Sequence, residues 1–274
     1  MSRFPHRLDR TVTIQAPPDV VFRYFTDSSR WASWWGTGST IDARSGGPVR
    51  IVHPNGVEIA GEITAIEPPS HIAFTYGYVK GVPIPADGSH VTIRLEPAGR
   101  GATRLTLTHQ FSETAVRDEH VQGWRYQLSL FGNLVANDTF ADAASMVDGW
   151  FAAWSDADAG SREAALARVA DQTVWFRDRF SMVDGIDDLK PHLAAVHRFM
   201  PGRRLERVGP VRQCQGIALA DWVARGPDGA ERGRGTNAFE LGEGAAQFGA
   251  QTRLSRRSAV GAKADRKVEC AGAP

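Results

Sequence analysis

The sequence predicts an α+β protein built from two consecutive domains. Its 274 residues exceed the roughly 100–200 that one domain usually takes. Between residues 48 and 111 apolar residues recur at every second position, and residues 120–135 then follow with helical spacing. Residues 146–241 have another order, with helices first and antiparallel strands afterwards. We therefore expect a curved antiparallel sheet around one long C-terminal helix, followed by a conical α+β barrel.

The first half begins with a strand and two short helices. Residues 8–15 alternate and are rich in β-branched side chains, which is typical of a strand. Pro18 followed by Asp19 indicates a helix start, and Asp27 is placed to cap a second helix that carries three tryptophans. The alternation that predicts the later strands is formed by Val57, Ile59, Ile63, Ile72, Phe74, Tyr76, Tyr78, Val91, Ile93, Leu95, Leu105, Leu107, His109 and Phe111. The long helix is predicted from the spacing of His120, Trp124, Leu128, Phe131 and Val135.

The second half begins near residue 137. Two helices are predicted, one around residues 146–154 and one from Ser161 onward. A short strand at residues 172–178 and a third helix at residues 185–199 come next. Three strands then cover residues 205–214, 217–225 and 230–241, with a Gly-Pro-Asp-Gly turn between the last two.

Composition and charge exclude several classes of function. The chain is 42% hydrophobic with a net charge of +1, and its first 250 residues contain no basic stripe of the kind that nucleic-acid-binding proteins show. No apolar run approaches the roughly 18 residues of a membrane-spanning helix. The N-terminus has no secretory signal and the two cysteines are isolated, so we expect a cytoplasmic protein. Neither metal-ligand spacing nor a nucleotide-binding glycine loop is present, so no metal or cofactor is expected.

A series of short motifs runs in order through about residues 8–136. They are Ile14-x-Ala16-x-Pro18-x-x-Val21, Phe25-Thr26-Asp27 with Trp31 and Trp35, Asp42-x-Arg44-x-Gly46-Gly47, Gly61-x-Ile63-x-x-Ile66-Glu67-Pro68-Pro69, and His120-x-x-Gly123-Trp124. The series resembles the Hsp90-ATPase-activator-homologue branch of the START-like (SRPBCC) superfamily. This resemblance implies a helix-grip fold over residues 1–136, with a cavity between the sheet and the C-terminal helix. It implies no ATPase activity.

A second series covers about residues 140–242. It consists of Trp150-x-x-x-Trp154, Val174-x-Phe176-x-Asp178, Gly185-x-x-x-Leu189, Ala220-x-Trp222, Asp228-Gly229 and Gly235-Thr236-Asn237-x-Phe239. The series resembles the SnoaL-like branch of the NTF2-like superfamily. This resemblance implies a conical barrel over residues 137–250 and a homodimer formed through the open face of its sheet. It also implies that an acidic residue in the cone acts as a proton shuttle where members are isomerases or cyclases.

The chain departs from this second pattern after residue 241. The pattern requires one more strand that ends in aromatic residues, whereas the last 26 residues contain no aromatic side chain. Residues 251–274 carry a net charge of +4, and the remainder of the chain carries −3. We therefore expect an incomplete last strand, an unprotected sheet edge at residues 230–241 and a disordered basic tail over residues 251–274. A frameshifted terminus and a natural basic extension are both open explanations.

Aromatic residues on the predicted inner faces are the candidates for ligand contact. In the first half these candidates are Trp31, Trp35, Phe74, Tyr76, His109 and Trp124. In the second half they are Trp154, Trp175, Phe176 and Trp222. Core packing is the alternative role for each aromatic residue, and a hydrogen bond within the core is the alternative for His109.

Asp178 is the first candidate for catalysis. Aromatic residues precede it on the same strand, and a carboxyl group among aromatic walls has its pKa raised by desolvation, as a general base requires. A solvated ion pair with a neighbouring arginine is the alternative role. The remaining candidates are Asp221 as a second carboxylate, and His192 or His197 as a further polar group.

These observations favour a protein that binds small apolar or aromatic molecules in one or both cavities and has no assembled catalytic set. The alternative is a cofactor-independent enzyme of the polyketide cyclase or isomerase kind that uses Asp178. A further alternative is a co-chaperone-like regulatory protein. The expected partners are a small hydrophobic or aromatic molecule and a second copy of the chain, without nucleic acid or membrane.

Overall fold

The computed structural model describes residues 3–242 and the backbone of residues 249–253. Two sheets, each with its own helices and its own hydrophobic core, follow one another along the chain. This arrangement confirms the predicted α+β fold class. In the described part of the chain, no helix is both long enough and apolar enough to cross a membrane.

The N-terminal half contains a seven-stranded antiparallel sheet. Its strands are β1 (His6–Ile14), β2 (Thr40–Ile41), β3 (Pro48–Val52), β4 (Glu58–Glu67), β5 (His71–Tyr78), β6 (Ser89–Pro97) and β7 (Thr103–Phe111). Their order across the sheet is β1-β7-β6-β5-β4-β3-β2. The last strand along the chain thus pairs with the first, from His6 opposite Phe111 to Ile14 opposite Thr103. The period-two pattern predicted β4 to β7, whereas β2 is too short to show a period.

Two short helices close one end of this sheet. Helix α1 (Pro18–Arg23) begins with a proline at a position where the missing N–H costs no hydrogen bond. Helix α2 (Ser28–Trp35) is capped by the Asp27 carboxylate, which accepts hydrogen bonds from the backbone N–H groups of Ser29 (2.8 Å) and Arg30 (3.0 Å). The Ser29 hydroxyl also donates to this carboxylate, and it lowers the pKa of Asp27 together with the backbone hydrogen bonds. The cap fixes the start of α2 and so orients its tryptophans into the core.

Helix α3 (Thr114–Thr139) is the long helix predicted from the sequence. Its buried face carries Trp124, Leu128, Phe131 and Val135, which share one side at a spacing of three or four residues. This face packs on the core that Phe25, Trp31, Phe74 and several isoleucines build over the sheet. Helix α3 therefore lies across the sheet and forms one wall of any space left between them.

The C-terminal half has three helices and a second sheet. The helices are α4 (Ala143–Ser155), α5 (Ala159–Val169) and α6 (Ile186–Phe199). The strands are β8 (Trp175–Arg177), β9 (Met182–Asp184), β10 (Arg204–Cys214), β11 (Ile217–Arg225), β12 (Glu231–Glu240) and β13 (Gly249–Arg253), in the order β10-β11-β12-β13-β8-β9. Trp150, Leu166, Leu189 and Phe239 are fully buried at its centre. Strand β9 was absent from the sequence expectation, and the short strand β13 lies where an incomplete last strand was expected.

Strand β13 corrects the expectation of an unprotected edge at residues 230–241. It pairs antiparallel with β12, where Thr236 lies opposite Arg253, and parallel with β8, where Gly249 lies opposite Trp175. The sequence GAQTR has no apolar alternation, but strand pairing is made by backbone groups and needs no particular side chain. The strand is short, with five residues against ten in β12. The remainder of the expected basic tail, residues 254–274, lies outside the described residues.

The two halves meet through polar contacts between α3 and the turn after β10. The side-chain amide of Gln213 donates to Asn137 Oδ1 (3.0 Å), and the backbone N–H of Gln215 donates to Asn133 Oδ1 (3.1 Å). Helix α3 runs to Thr139, three residues past the predicted boundary at residue 136.

Candidate functional site

A cavity of about 590 Å³ lies in the N-terminal half between α2, β5 and α3. Three of the predicted ligand-contact residues line it, namely Trp35, Tyr76 and Trp124. The other lining residues are Ser33, Trp34, Gly36, His53, Pro54, Asn55, Tyr78, Glu119, His120, Gly123, Tyr126, Gln127, Leu130 and Leu134. The void is of the size that small-molecule sites usually have.

The walls of this first cavity are aromatic rings in mutual contact. The Trp35 ring stacks on Trp34 with centroids 4.3 Å apart and meets the edge of Trp124 at 5.7 Å. Tyr76 and Tyr78 meet edge to face at 6.1 Å on the opposite wall. Such contacts hold each ring in one orientation and leave a rigid apolar surface.

The polar lining residues of the first cavity include one hydrogen-bonded pair, Tyr78 and His120. His120 Nδ1 lies 2.7 Å from the Val116 carbonyl, which only accepts, so Nδ1 carries the proton. Burial lowers the pKa of His120, so the ring is neutral near pH 7 and its Nε2 accepts. The hydroxyl of Tyr78 therefore donates to Nε2, at 3.2 Å. The Tyr78 oxygen accepts from the Tyr76 hydroxyl, and its second lone pair is left to accept a further hydrogen bond.

His109 does not line the cavity, although it was predicted to do so. Its Nδ1 accepts from Trp124 Nε1 (2.9 Å), since an indole only donates, and its Nε2 then donates to Ser89 Oγ (2.8 Å). The Ser89 hydroxyl donates in turn to the Tyr76 carbonyl at 2.7 Å. Burial lowers the pKa of His109 well below its usual range. His109 is thus a neutral core residue that orients Trp124.

Trp31 and Phe74 also lie in the core rather than on the cavity wall. Both are fully buried, and their rings contact each other at 6.0 Å. The Trp31 indole donates to the Arg50 carbonyl at 3.0 Å, so its polar atom is satisfied by the backbone. For these two residues the structure supports the alternative of core packing.

A second cavity of about 510 Å³ lies inside the C-terminal half. Of the predicted residues, Trp154, Phe176, Trp222 and Asp178 line it. The other lining residues are Trp150, Phe180, Ser181, His192, Val196, Met200, Arg203, Leu205, Ala224 and Asn237. Two helices, α4 and α6, the strands of the sheet and the turns beside them supply these residues.

Asp178 and His192 bring two titratable groups to the second cavity. Asp178 Oδ1 accepts from the backbone N–H of Phe180 at 2.7 Å, which fixes the carboxylate in a turn after β8. The His192 ring contacts Trp154 (5.7 Å) and Phe176 (5.9 Å). Burial lowers the pKa of His192, and the negative charge of Asp178 opposes this shift. The two side chains therefore interact electrostatically within the second cavity.

Two predicted residues of the C-terminal half, Asp221 and Trp175, lie away from this cavity. Asp221 is the neighbour of the lining residue Trp222 on β11, and the two side chains point to opposite faces because side chains alternate along a strand. The Asp221 carboxylate faces outward, where it accepts from Thr236 Oγ1 (2.5 Å) and pairs with Arg212 (3.2 Å). Trp175 is likewise outside the lining and lies beside the guanidinium of Arg177.

Several lining residues were not among the predicted contacts. Tyr78 lies two residues from Tyr76 on the same face of β5, and His120 lies four residues from Trp124 on the same face of α3. The periodicity of the sequence could therefore have predicted both as lining residues. Asn237 accepts from the indole of Trp222 at 2.8 Å and thereby orients it. Arg203 belongs to the turn between α6 and β10, where no period exists to place a side chain. Within the described ranges, no group of three or more His, Cys, Asp or Glu residues is arranged to hold a metal ion.

Comparisons with known proteins found one family and several solved structures that are similar to parts of the chain. Residues 15–136 match the family described as "Activator of Hsp90 ATPase homolog 1-like protein", and no curated protein matches the chain. A solved structure of a SnoaL-like family protein from Agrobacterium tumefaciens is 18% identical, with a TM-score of 0.39, over 41% of this chain and 97% of its own. An HSP90 activator from Plasmodium falciparum is 25% identical, with a TM-score of 0.37, over 43% and 86%. The Aha1 dimer from Colwellia psychrerythraea is 17% identical, with a TM-score of 0.39, over 45% and 90%.

Motifs, fold and family match agree for the N-terminal half. An antiparallel sheet with one long helix across it and a cavity between them is the helix-grip arrangement that the motifs imply. The helices and sheet of the C-terminal half form the α+β arrangement expected from the SnoaL-like resemblance. Over residues 15–136, the chain is therefore similar to the family of activator of Hsp90 ATPase homolog 1-like proteins.

Proposed function

We propose that this protein binds small apolar or aromatic molecules in its two cavities. The observation that carries the proposal is that each half has a cavity, of about 590 and 510 Å³, whose walls are mainly apolar and include several aromatic rings. Sites of this size with a few oriented polar groups are typical of small-molecule binding. Burying one aromatic ligand against such walls contributes roughly 25 cal/mol per Å² of apolar surface removed from water.

In the first cavity, the polarity of the Tyr78–His120 pair favours a particular ligand. Because Tyr78 donates to His120, its oxygen accepts, and it suits a ligand hydroxyl or N–H group. The aromatic walls formed by Trp35 and Trp124 suit the body of the same molecule. A phenol-like or indole-like compound combines both features.

A cavity-filling variant tests the proposal in the first cavity. Gly123 lines that cavity, and a Cβ atom placed there meets nothing within 4 Å. We expect Gly123→Leu to abolish binding of 2-naphthol, measured by quenching of tryptophan fluorescence. Gly123→Ala is the matched control, since it removes the same glycine from α3 without filling the space, and it should retain the wild-type affinity. Equal binding by both variants would show that 2-naphthol does not occupy this cavity.

Native mass spectrometry of the protein purified from its own host complements this titration. A retained small molecule supports the proposal, and repeated preparations without one would weigh against it. The same spectrum shows whether the chain forms the homodimer expected through the outer face of the second sheet.

A second candidate function is proton transfer in the C-terminal cavity, as in a cofactor-independent isomerase or cyclase. The specific observation is that Asp178 lines the cavity together with His192 and is fixed there by the Phe180 N–H. Hydrogen exchange of the α-protons of 2-tetralone in D2O, followed by NMR, tests this function. We expect acceleration by the wild type and by Asp221→Asn, whose carboxylate lies outside the cavity, but not by Asp178→Asn. A wild-type rate equal to that of buffer would exclude it for this probe.

A further inference from the structure

Arg203 stands out among the residues of the second cavity. It lies in the turn between α6 and β10, its side chain is half-buried, and it lines the cavity beside aromatic residues. Among the described residues, its guanidinium makes no hydrogen bond and no ion pair. A cation that is partly removed from water without a partner loses solvation that nothing in its surroundings returns.

Other arginines of the same half that are at least half-buried are all paired. Arg207 binds the Asp148 carboxylate through Nε at 2.6 Å, and Arg177 binds the carboxylate of Asp184. Arg162 donates to the Asp156 carbonyl at 2.9 Å. The fold therefore satisfies buried guanidinium groups as a rule, and Arg203 is an exception at a cavity wall.

The local backbone holds Arg203 in this place. The turn before it contains Gly202 with φ 72°, a left-handed conformation that side chains rarely adopt. A Cβ atom at Gly202 would lie 2.9 Å from Pro227 Cβ, so the close approach of the two turns also requires glycine. The backbone N–H of Arg203 then closes the turn onto the Met200 carbonyl at 3.4 Å.

The surroundings favour an anionic group on Arg203. The aromatic side chains of Trp154, Phe176 and Trp222 lower the local dielectric constant, which strengthens a charge-assisted hydrogen bond. Asp178 shares the cavity but forms no ion pair with Arg203, so the cation is not neutralised from within. The Asp178 charge repels an anion and the Arg203 charge attracts it, so a ligand's acidic group is expected at Arg203.

We infer that the second cavity takes an aromatic or alicyclic carboxylate whose carboxylate group is bound by Arg203. The planar guanidinium fork matches a carboxylate in a bidentate manner, and the apolar body of the ligand packs against the aromatic walls. This inference rests on the proposed function, to which it adds the chemical class of the ligand.

A pair of probes that share one ring system and differ in charge, with one added methyl group in the neutral probe, tests the assignment. The dissociation constants of 2-naphthoate and of its neutral methyl ester are measured by isothermal titration calorimetry at pH 7.5. We expect the wild type to bind the acid at least tenfold more tightly than the ester, a difference of about 1.4 kcal/mol. Arg203→Gln should remove this preference and leave the affinity for the ester unchanged, and Arg203→Lys should retain part of it.

Arg204→Gln is the matched control, because Arg204 is the next residue, carries the same charge and is exposed. It should keep the full preference for the acid. If the acid and the ester bind equally to the wild type, or if Arg203→Gln keeps the preference, the role of Arg203 is wrong while cavity binding stands. If neither probe binds, the proposed function fails for this cavity and the inference falls with it. Circular dichroism of each variant verifies that it is folded.

Discussion

The two cavities are alike in size and in their aromatic walls, and they differ in what their polar groups already bind. In the first, His120 is held between Val116 and Tyr78, and His109 behind the wall is bound on both ring nitrogens. In the second, neither Arg203 nor His192 makes a side-chain hydrogen bond within the described part of the chain.

This difference separates polar groups whose hydrogen bonds stabilise the fold from polar groups whose hydrogen-bonding capacity is open to a ligand. A histidine with both nitrogens bound contributes to a fixed core, and removal of one partner leaves the other unsatisfied. A charged group on a cavity wall without a partner contributes little to the fold and is available for binding. The first cavity should therefore select ligands by shape and by a hydrogen bond to the Tyr78 oxygen. The second cavity should select ligands by charge.

The two halves also differ in how their sheets are completed. In the N-terminal half the first and last strands, β1 and β7, pair along nine residues. In the C-terminal half β13 alone joins β12 to β8, through three paired positions on each side. The second sheet thus depends on a short segment that follows β12 closely in sequence but lies far along the chain from β8.

Truncation should have the largest effect on this comparison. A chain that ends at residue 248 lacks β13, so β12 and β8 lose their common neighbour. We expect the unfolding midpoint of the C-terminal half to fall by at least about 10 °C, because each kcal/mol shifts a domain of this size by roughly 4–8 °C. The midpoint of the N-terminal half should not change. A chain that ends at residue 253 is the control, and identical melting curves for the two truncations would contradict the role of β13.

Loss of a core tryptophan should come next. Trp31 is fully buried and packs against Phe25, Trp34, Trp35 and Phe74. We expect Trp31→Ala to lower the free energy of unfolding of the N-terminal half by about 3–5 kcal/mol. Urea denaturation followed by circular dichroism measures this loss. Tyr126→Ala, at a position 67% exposed, should change the same free energy by less than about 0.5 kcal/mol.

Acid should destabilise the N-terminal half before it affects the carboxylates. Burial lowers the pKa of His109, His120 and His53 below the usual 6.5, so below pH 6.5 the unfolded chain binds more protons than the folded one. Stability is therefore complete above pH 6.5 and falls as the pH falls toward the folded-state pKa values. For His109 the slope should approach about 1.4 kcal/mol per pH unit. Urea unfolding at pH 7.5, 6.0 and 5.0 measures it, and His109→Leu should flatten the profile.

The smallest expected effect concerns the Tyr78 hydroxyl of the first cavity. Tyr78→Phe removes the hydroxyl that accepts from a ligand and that donates to His120. We expect the affinity for 2-naphthol to fall about fivefold, which corresponds to roughly 1 kcal/mol for one hydrogen bond. Naphthalene, which has no donor, should bind equally to both proteins. Tyr126→Phe, at the exposed rim of the same cavity, should leave the affinity for 2-naphthol unchanged.

Periodicity predicted the buried faces but not the cavities within them. Trp31 and Trp35 both lie on the buried side of α2, yet one fills the core and the other lines a void. The pattern of a helix states which side is covered, whereas a void depends on how side chains from several elements meet. His109 shows the same limit, because its strand face was evident and its partners, Ser89 and Trp124, come from other elements.

Other errors have different causes. The strand alternation that placed Trp222 inside also excludes its neighbour Asp221, so that candidate was avoidable. The position of strand β13 could not be predicted, since its sequence carries no alternation. Arg203 stands in a turn, where the backbone conformation of Gly202 directs the side chain and no repeating pattern reports it.

The position of β13 also orders the events of synthesis. All of the N-terminal half precedes residue 140, so it has left the ribosome while the C-terminal half is still being made. At 5–20 residues per second, residues 140–253 take roughly 6–23 s to translate. Strand β8 is made early in that time and β12 shortly before β13, so β8 lacks the strand that joins it to β12 until residues 249–253 follow. A nascent chain thus carries one folded unit and one open sheet, and the second closes only when residues 249–253 emerge.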